Sequence, residues 1–167
     1  MAGTRPDGYS AMQIMLHWSV ATLVVFQFFV NDGIAEAWHG FARGETVDEG
    51  LLAAANVHVI IGITILALAL WRIALRFSRG APPPPENEPP VLRRVAEAAH
   101  VLLYVLIVVT PLSGAAAWFL SSEAASAGHG IARALLFVVA VLHIAGALVQ
   151  HFFLRSDVLT RMLMTKD

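Results

Sequence analysis

Three histidines punctuate an otherwise apolar stretch of this chain, residues 128–154, reading GHGIARALLFVVAVLHIAGALVQHFFL: they are His129, His143 and His151. His129 and His143 stand fourteen positions apart. An α-helix, at about 1.5 Å and roughly 100° per residue, puts them on nearly one face and about 21 Å apart along the axis. That is the geometry of two stacked ligand sites. An ionisable or metal-binding side chain in an apolar span is expensive and is a functional hypothesis by default. Neutral imidazole is the commonest metal-ligating side chain and an axial ligand of haem iron, so the stretch reads as one wall of a two-haem stack.

The composition sharpens this by exclusion. The chain has no cysteine, which removes disulfides, thiolate-ligated haem, iron–sulfur clusters and covalent attachment through CxxCH. Any metal site must be built from histidine, methionine or carboxylate. Of the 167 residues 57% are hydrophobic and 14% charged, and the mean hydropathy is +0.68, outside the range of ordinary soluble domains. The expected solvent is lipid, and nucleic acid is not an expected partner. The N-terminus MAGTRPDGYSAMQ is polar and the first apolar run lacks a small-residue cleavage motif. That run is therefore expected to stay in the mature chain.

Four apolar runs are long enough to cross a bilayer core, which takes about 20 helical residues: 12–30, 51–77, 92–120 and 131–154. A connection with a short amphipathic turn around 34–41 follows the first. The proline-rich stretch 80–90 reads as an extended polyproline linker between the second and third. Pro111 is expected to kink the third span. The connection SSEAASAG is short, so the third and fourth spans should be antiparallel neighbours.

Lysine and arginine collect on the cytoplasmic side of membrane proteins. Arg5, Arg72, Arg76, Arg79, Arg93, Arg94, Arg155, Arg161 and Lys166 fall at the N-terminus, the linker and the C-terminus, against Arg43 and Arg133 on the other side. The outer connections also hold Asp32, Glu36, Glu45, Asp48, Glu49 and Glu123. The expected fold is all-α: one integral membrane domain over 1–167, a four-helix bundle in up-down-up-down order with both termini cytoplasmic, an architecture whose core can hold cofactors on facing helices.

This topology gives each of the seven histidines a depth. His17 and His143 fall in the cytoplasmic half and can face each other, while His58 and His129 form a second pair in the outer half. The competing reading is that intramembrane histidines only hydrogen-bond across the bundle. Two depth-matched pairs sharing one helix argue against it. A second pairing, His17 with His151 and His58 with His143, ranks behind the first. His100, Gln150 and His151 are expected to form a polar cluster beside the inner haem, set against plain anchoring of helix ends. His39, beside Trp38, reads as solvated. Gly62, Gly114 and Gly146 read as positions where helices or a flat cofactor approach the backbone, with plain helix packing as the competing reading, and Trp18, Trp38, Trp71 and Trp118 as an interfacial belt.

The pieces MLHWSV, NVHVIIGITILALALWRIALR, AHVLLYVLIVVTPLSG and LHIAGALVQHFFLRSDVLTRML occur in this order over nearly the whole chain. Together they resemble the prokaryotic cytochrome b561 family, which includes the bacterial superoxide oxidase. The resemblance implies two b haems with bis-histidine ligation, at positions matching His17 with His143 and His58 with His129. One departure is that the outer connection before the fourth helix is much shorter here than in superoxide oxidase.

Two axial histidines fill the iron's coordination, so such haems shuttle single electrons. The expected function is electron transfer across the bacterial inner membrane between the quinone pool, ubiquinone or another quinone, and a one-electron donor or acceptor on the outer face. If the family's activity is retained, the protein is an oxidoreductase with superoxide as donor and quinone as acceptor. The alternative is a membrane-anchor cytochrome passing electrons from a dehydrogenase or respiratory complex to quinone. The quinone is expected at the cytoplasmic end, near His100, Gln150 and His151, where an imidazole can also supply a proton.

Overall fold

Each apolar run folds as a helix in the computed structural model, which describes residues 6–29, 33–85 and 88–165. Arg5, Asp32 and Lys166 of the charge argument, and Val30 at the end of the first expected span, lie outside the described residues. The helices are α1 (Ala11–Phe29), α2 (Ile34–Ala42), α3 (Glu49–Arg79), α4 (Pro90–Leu120) and α5 (Glu123–Phe152), with no strand among the described residues. Four of them, α1, α3, α4 and α5, of 19, 31, 31 and 30 residues, are long and apolar enough to span a membrane. A 31-residue helix is roughly 46 Å long, against a hydrocarbon core of about 30 Å. The three long helices therefore project beyond the apolar layer or tilt within it.

Local chemistry sets the ends. Asp48 caps α3, its Oδ1 accepting from the Gly50 and Leu51 amides at 2.9 and 3.3 Å, and Glu49 places a negative charge in the first turn. Arg76 and Arg79 place positive charge in the last, matching the helix dipole at both ends. At α5 the Ser122 Oγ accepts from the Ala125 amide at 3.2 Å, with Glu123 in the first turn. The fourth spanning helix thus begins at Glu123, earlier than the expected 131. Gly128 and Gly130 look like breakers in the sequence, but a capped start and intervening alanines carry the helix through them. Only Ser121 and Ser122 connect α4 to α5, and the left-handed Ser121 (φ 48°) makes the reversal.

The amphipathic turn expected around 34–41 is the two-turn helix α2. Its N-cap Gly33 has φ 77°, the left-handed region that favours glycine, and the end of the Leu51 side chain packs beside it. The Trp38 Nε1 donates to the Ala117 carbonyl at 3.0 Å, and Phe41 stacks on Trp118 at 5.7 Å. These contacts pin α2 over the end of α4. We refer to this end of the bundle as the α2 end, and to the opposite one as the linker end.

At the linker end the extended segments are sewn to the helices. Gln13 Nε2 donates to the Gly80 carbonyl at 3.1 Å, Trp18 Nε1 to Met162 at 2.7 Å, and Arg161 to Pro83 at 2.7 Å. Trp18 and Trp38 are therefore tethers.

Helix α3 packs on α1 and α4, and α4 on α5. The bundle closes where Phe28 of α1 meets Phe137 of α5 at 5.3 Å. The helices meet through small and large side chains alike, with Ala55, Ala69, Ala117 and Ala132 buried beside Leu16, Val20, Ile65, Leu106 and Leu136, while Ile60, Phe119, Leu142 and Phe153 face outward. Alanines at the helix contacts and large apolar residues facing outward suit a bundle solvated by lipid.

Candidate functional site

Both first-ranked histidine combinations are ring neighbours. His17 of α1 and His143 of α5 have centroids 6.5 Å apart with planes at 69°, and His58 of α3 and His129 of α5 have centroids 6.3 Å apart at 81°. A metal bonded at about 2 Å to one nitrogen of each ring needs the two centroids roughly 6 Å apart. Both pairs have that spacing. Direct stacking or a ring-to-ring hydrogen bond would bring them closer. None of the ring contacts among the described residues joins His17 to His151 or His58 to His143. His129 and His143 lie on one uninterrupted helix, so the roughly 21 Å separation expected from their spacing holds.

The α2-end pair has a supporting shell. His129 Nδ1 lies 2.8 Å from the Thr110 carbonyl of α4. A carbonyl only accepts, so this nitrogen carries the proton, and Nε2 keeps the lone pair that a metal requires. The ring lies so close to α4 that a Cβ on Gly114 would stand 3.0 Å from its Cε1 and Nδ1. Gly114 therefore admits the imidazole itself, whereas a Cβ at Gly146 would meet nothing within 4 Å. Helix α4 runs on through Pro111, and the Thr110 carbonyl also accepts from Ser113 Oγ at 2.9 Å. On the other side, Gln27 Nε2 donates to the His58 carbonyl at 2.9 Å, which ties α1 to the residue that carries the partner ring.

At the linker end a third histidine joins the pair. His100 of α4 contacts the His143 ring at 5.1 Å and bonds to the Ala96 backbone one turn earlier. His17 Nδ1 and His58 Nδ1 are buried without a hydrogen-bond partner. Each leaves a polar atom that the polypeptide itself does not satisfy, at a cost of about 1–3 kcal/mol if nothing else does. A donor set of imidazoles, orphaned nitrogens, metal-compatible ring spacing and a glycine cradle fits haem.

The expected His100, Gln150 and His151 cluster is divided between two neighbourhoods. His100 faces His143, whereas Gln150 Nε2 donates to Glu88 of the linker at 2.6 Å and its Oε1 accepts from Ser156 Oγ at 3.4 Å. His151 packs edge-on against Phe152 at 4.9 Å, with its Nδ1 buried and without a partner. Beside Gln150 lies a cavity of about 330 Å³ lined by Pro85, Glu88, Leu154, Arg155, Ser156, Asp157 and Arg161. His39 sits in the last turn of α2, its ring 5.0 Å from Trp38. Gln27 and Thr110 are the site residues that the reading from sequence did not use, while Gly114, read there as a position of close approach, takes the His129 ring against the backbone. A glutamine inside an apolar span was a visible signal; a backbone carbonyl gives none.

A four-helix membrane bundle that brings histidines together at two depths defines a class, the membrane b-type cytochromes that carry electrons through haem. Comparison with known proteins agrees. The chain belongs to the prokaryotic cytochrome b561 family, whose pattern matches residues 8–164. It is also 31% identical over 160 residues to a protein named cytochrome b562 from Cereibacter sphaeroides, covering 96% of this chain and 98% of that one. The protein is thus a multi-pass membrane cytochrome with haem b and a role in electron transfer.

Proposed function

We propose that the chain holds two b haems, one between His17 and His143 and one between His58 and His129, and passes single electrons between them across the bacterial inner membrane. The observation that carries this is the pair of ring separations, 6.5 and 6.3 Å, on a shared helix. The polarised His129 tautomer supports the second site independently. The haem at the linker end exchanges electrons with quinone, and the one at the α2 end with a one-electron partner on the outer face, for which superoxide is the candidate. Haem-to-protein stoichiometry by pyridine haemochrome should be near two, and a redox titration should resolve two midpoints. A ratio near one would remove one of the pairs. In membranes, added superoxide should reduce the haems, and added quinone should reoxidise them.

A further inference from the structure

Of the arginines on the spanning helices, Arg72 and Arg133 stand furthest from the helix ends, one near each histidine pair. Arg133, which the charge argument assigns to the outer side, lies ten residues past Glu123, the start of α5. That is roughly 15 Å along the helix and one turn beyond His129 on the same face. Arg72 lies seven residues before Arg79, the end of α3, roughly 10 Å in from the linker end. Its guanidinium carbon is 5.6 Å from the Tyr104 ring centroid. Tyr104 is one turn from His100 on α4, and His100 touches His143.

Helical side chains lean toward their helix's N-terminus. The Arg133 head group therefore swings back toward the level of His129, and that of Arg72 swings inward to where it meets Tyr104. The ion pairs formed among the described residues are Arg43 with Glu45, Arg93 with Glu97 and Arg161 with Asp157. Arg72 and Arg133 are in none of them. A guanidinium in an apolar span is costly and usually has an anion or a function to keep it there.

We propose that Arg72 and Arg133 are positioning residues, one for each histidine pair, which pair with the carboxylate edge of the haem held there and raise its midpoint potential. This rests on the haem assignment proposed above. Haem b carries propionate carboxylates, and the planar guanidinium suits them bidentately. Ferric haem carries one more positive charge than ferrous haem, so a fixed cation nearby favours the reduced form. Removing the cation lowers the midpoint.

The test is an optical redox titration of the purified holoprotein and of Arg72→Gln, Arg133→Gln, Arg72→Lys and Arg133→Lys. The midpoint absent in His17→Ala identifies the linker-end haem, and the one absent in His58→Ala the α2-end haem. Arg72→Gln should lower only the former and Arg133→Gln only the latter. In each case the reduced-to-oxidised ratio at fixed ambient potential should fall about tenfold, or about 59 mV for one electron. The lysine variants should stay near the parent. A glutamine variant that instead loses one haem supports the proposal if the lost midpoint is the assigned one. Loss of the other haem, or of both, overturns it, as do two unmoved midpoints, which would leave the arginines serving lipid headgroups. A parent protein without two midpoints would overturn the haem assignment itself, a separately recognisable failure.

Discussion

His129 Nδ1 lies 2.8 Å from the carbonyl of Thr110, and the same ring rests against Gly114 one turn further along α4. One helix thus fixes both the tautomer and the position of an imidazole on its neighbour. The two-residue connection between α4 and α5 keeps these helices adjacent in space at this end. The ring's free nitrogen, Nε2, is thereby oriented by backbone, which no side-chain substitution at position 110 removes.

Substituting Gly114→Ala places a methyl 3.0 Å from the imidazole, closer than ordinary contact, so the ring or the helix must give. Disturbing a ligand's supporting shell typically costs about 10–100-fold in metal affinity. We expect Gly114→Ala to weaken the α2-end haem by that order, while Gly146→Ala leaves both haems in place. Haem retention during purification is the measurement. Equal retention in the two variants would remove the cradle role of Gly114.

The ring pairs predict which ligands act together. His17→Ala and His143→Ala should abolish one and the same midpoint, and His58→Ala and His129→Ala the other, since losing either axial ligand leaves the iron under-coordinated. His100→Ala should keep two haems while perturbing the one near His143, because its ring touches His143 but is bonded by its own helix. If His151→Ala behaves like His17→Ala, the second-ranked pairing is the correct one.

Much of this was legible in the sequence, and the reasons differ by feature. The four spans follow from hydropathy and length, which report solvent directly. The proximity of His17 to His143 and of His58 to His129 followed from depth, because helices in a membrane share one axis of reference. The start of α5 was misplaced because Gly128 and Gly130 mimic a loop, whereas the Ser122 cap acts on a backbone amide three residues away. The Thr110 and Ala117 carbonyls that receive His129 and Trp38 leave no trace in residue type. The cluster of His100, Gln150 and His151 came apart because shared depth says nothing about angular position. Helix α4 turns His100 toward α5, while the linker takes Gln150.

Orientation and the seating of α2 give a third prediction. Reporter fusions at the C-terminus should be active in the cytoplasm and fusions within residues 43–48 in the periplasm, following the arginine distribution at the linker end. Trp38→Phe keeps the ring but removes the hydrogen bond to Ala117, at a cost of about 1 kcal/mol. It should expose the segment around α2 to protease added from the periplasmic side without altering the haem spectrum. Protection equal to the parent would mean that the Phe41 and Trp118 stack alone holds the helix.

Quinone chemistry at the linker end is the last prediction, and the geometry refines which residues should test it. A reduced quinone needs an electron source close by and a proton donor in hydrogen-bond reach. Ligand sites commonly occupy about 300–1,000 Å³, and the cavity of about 330 Å³, lined by Pro85 and Leu154 beside Ser156 and the charged Glu88, Arg155, Asp157 and Arg161, falls at the lower end of that scale. It adjoins Gln150 through Glu88 and Ser156, and His151 is the residue next to Gln150 along the chain. His100 lies instead against His143, where a substitution changes the haem's surroundings as well as any quinone contact. The double variant His100→Leu with His151→Leu should still slow haem oxidation by added quinone, but the single variants separate the causes. His151→Leu and Gln150→Leu should each leave both haem spectra and midpoints unchanged while slowing reoxidation by about tenfold or more, the scale of a lost proton donor or hydrogen bond. His100→Leu should move the linker-end midpoint. Normal quinone kinetics in both His151→Leu and Gln150→Leu would move the quinone to the α2 end, and with it reverse the direction of electron flow proposed here.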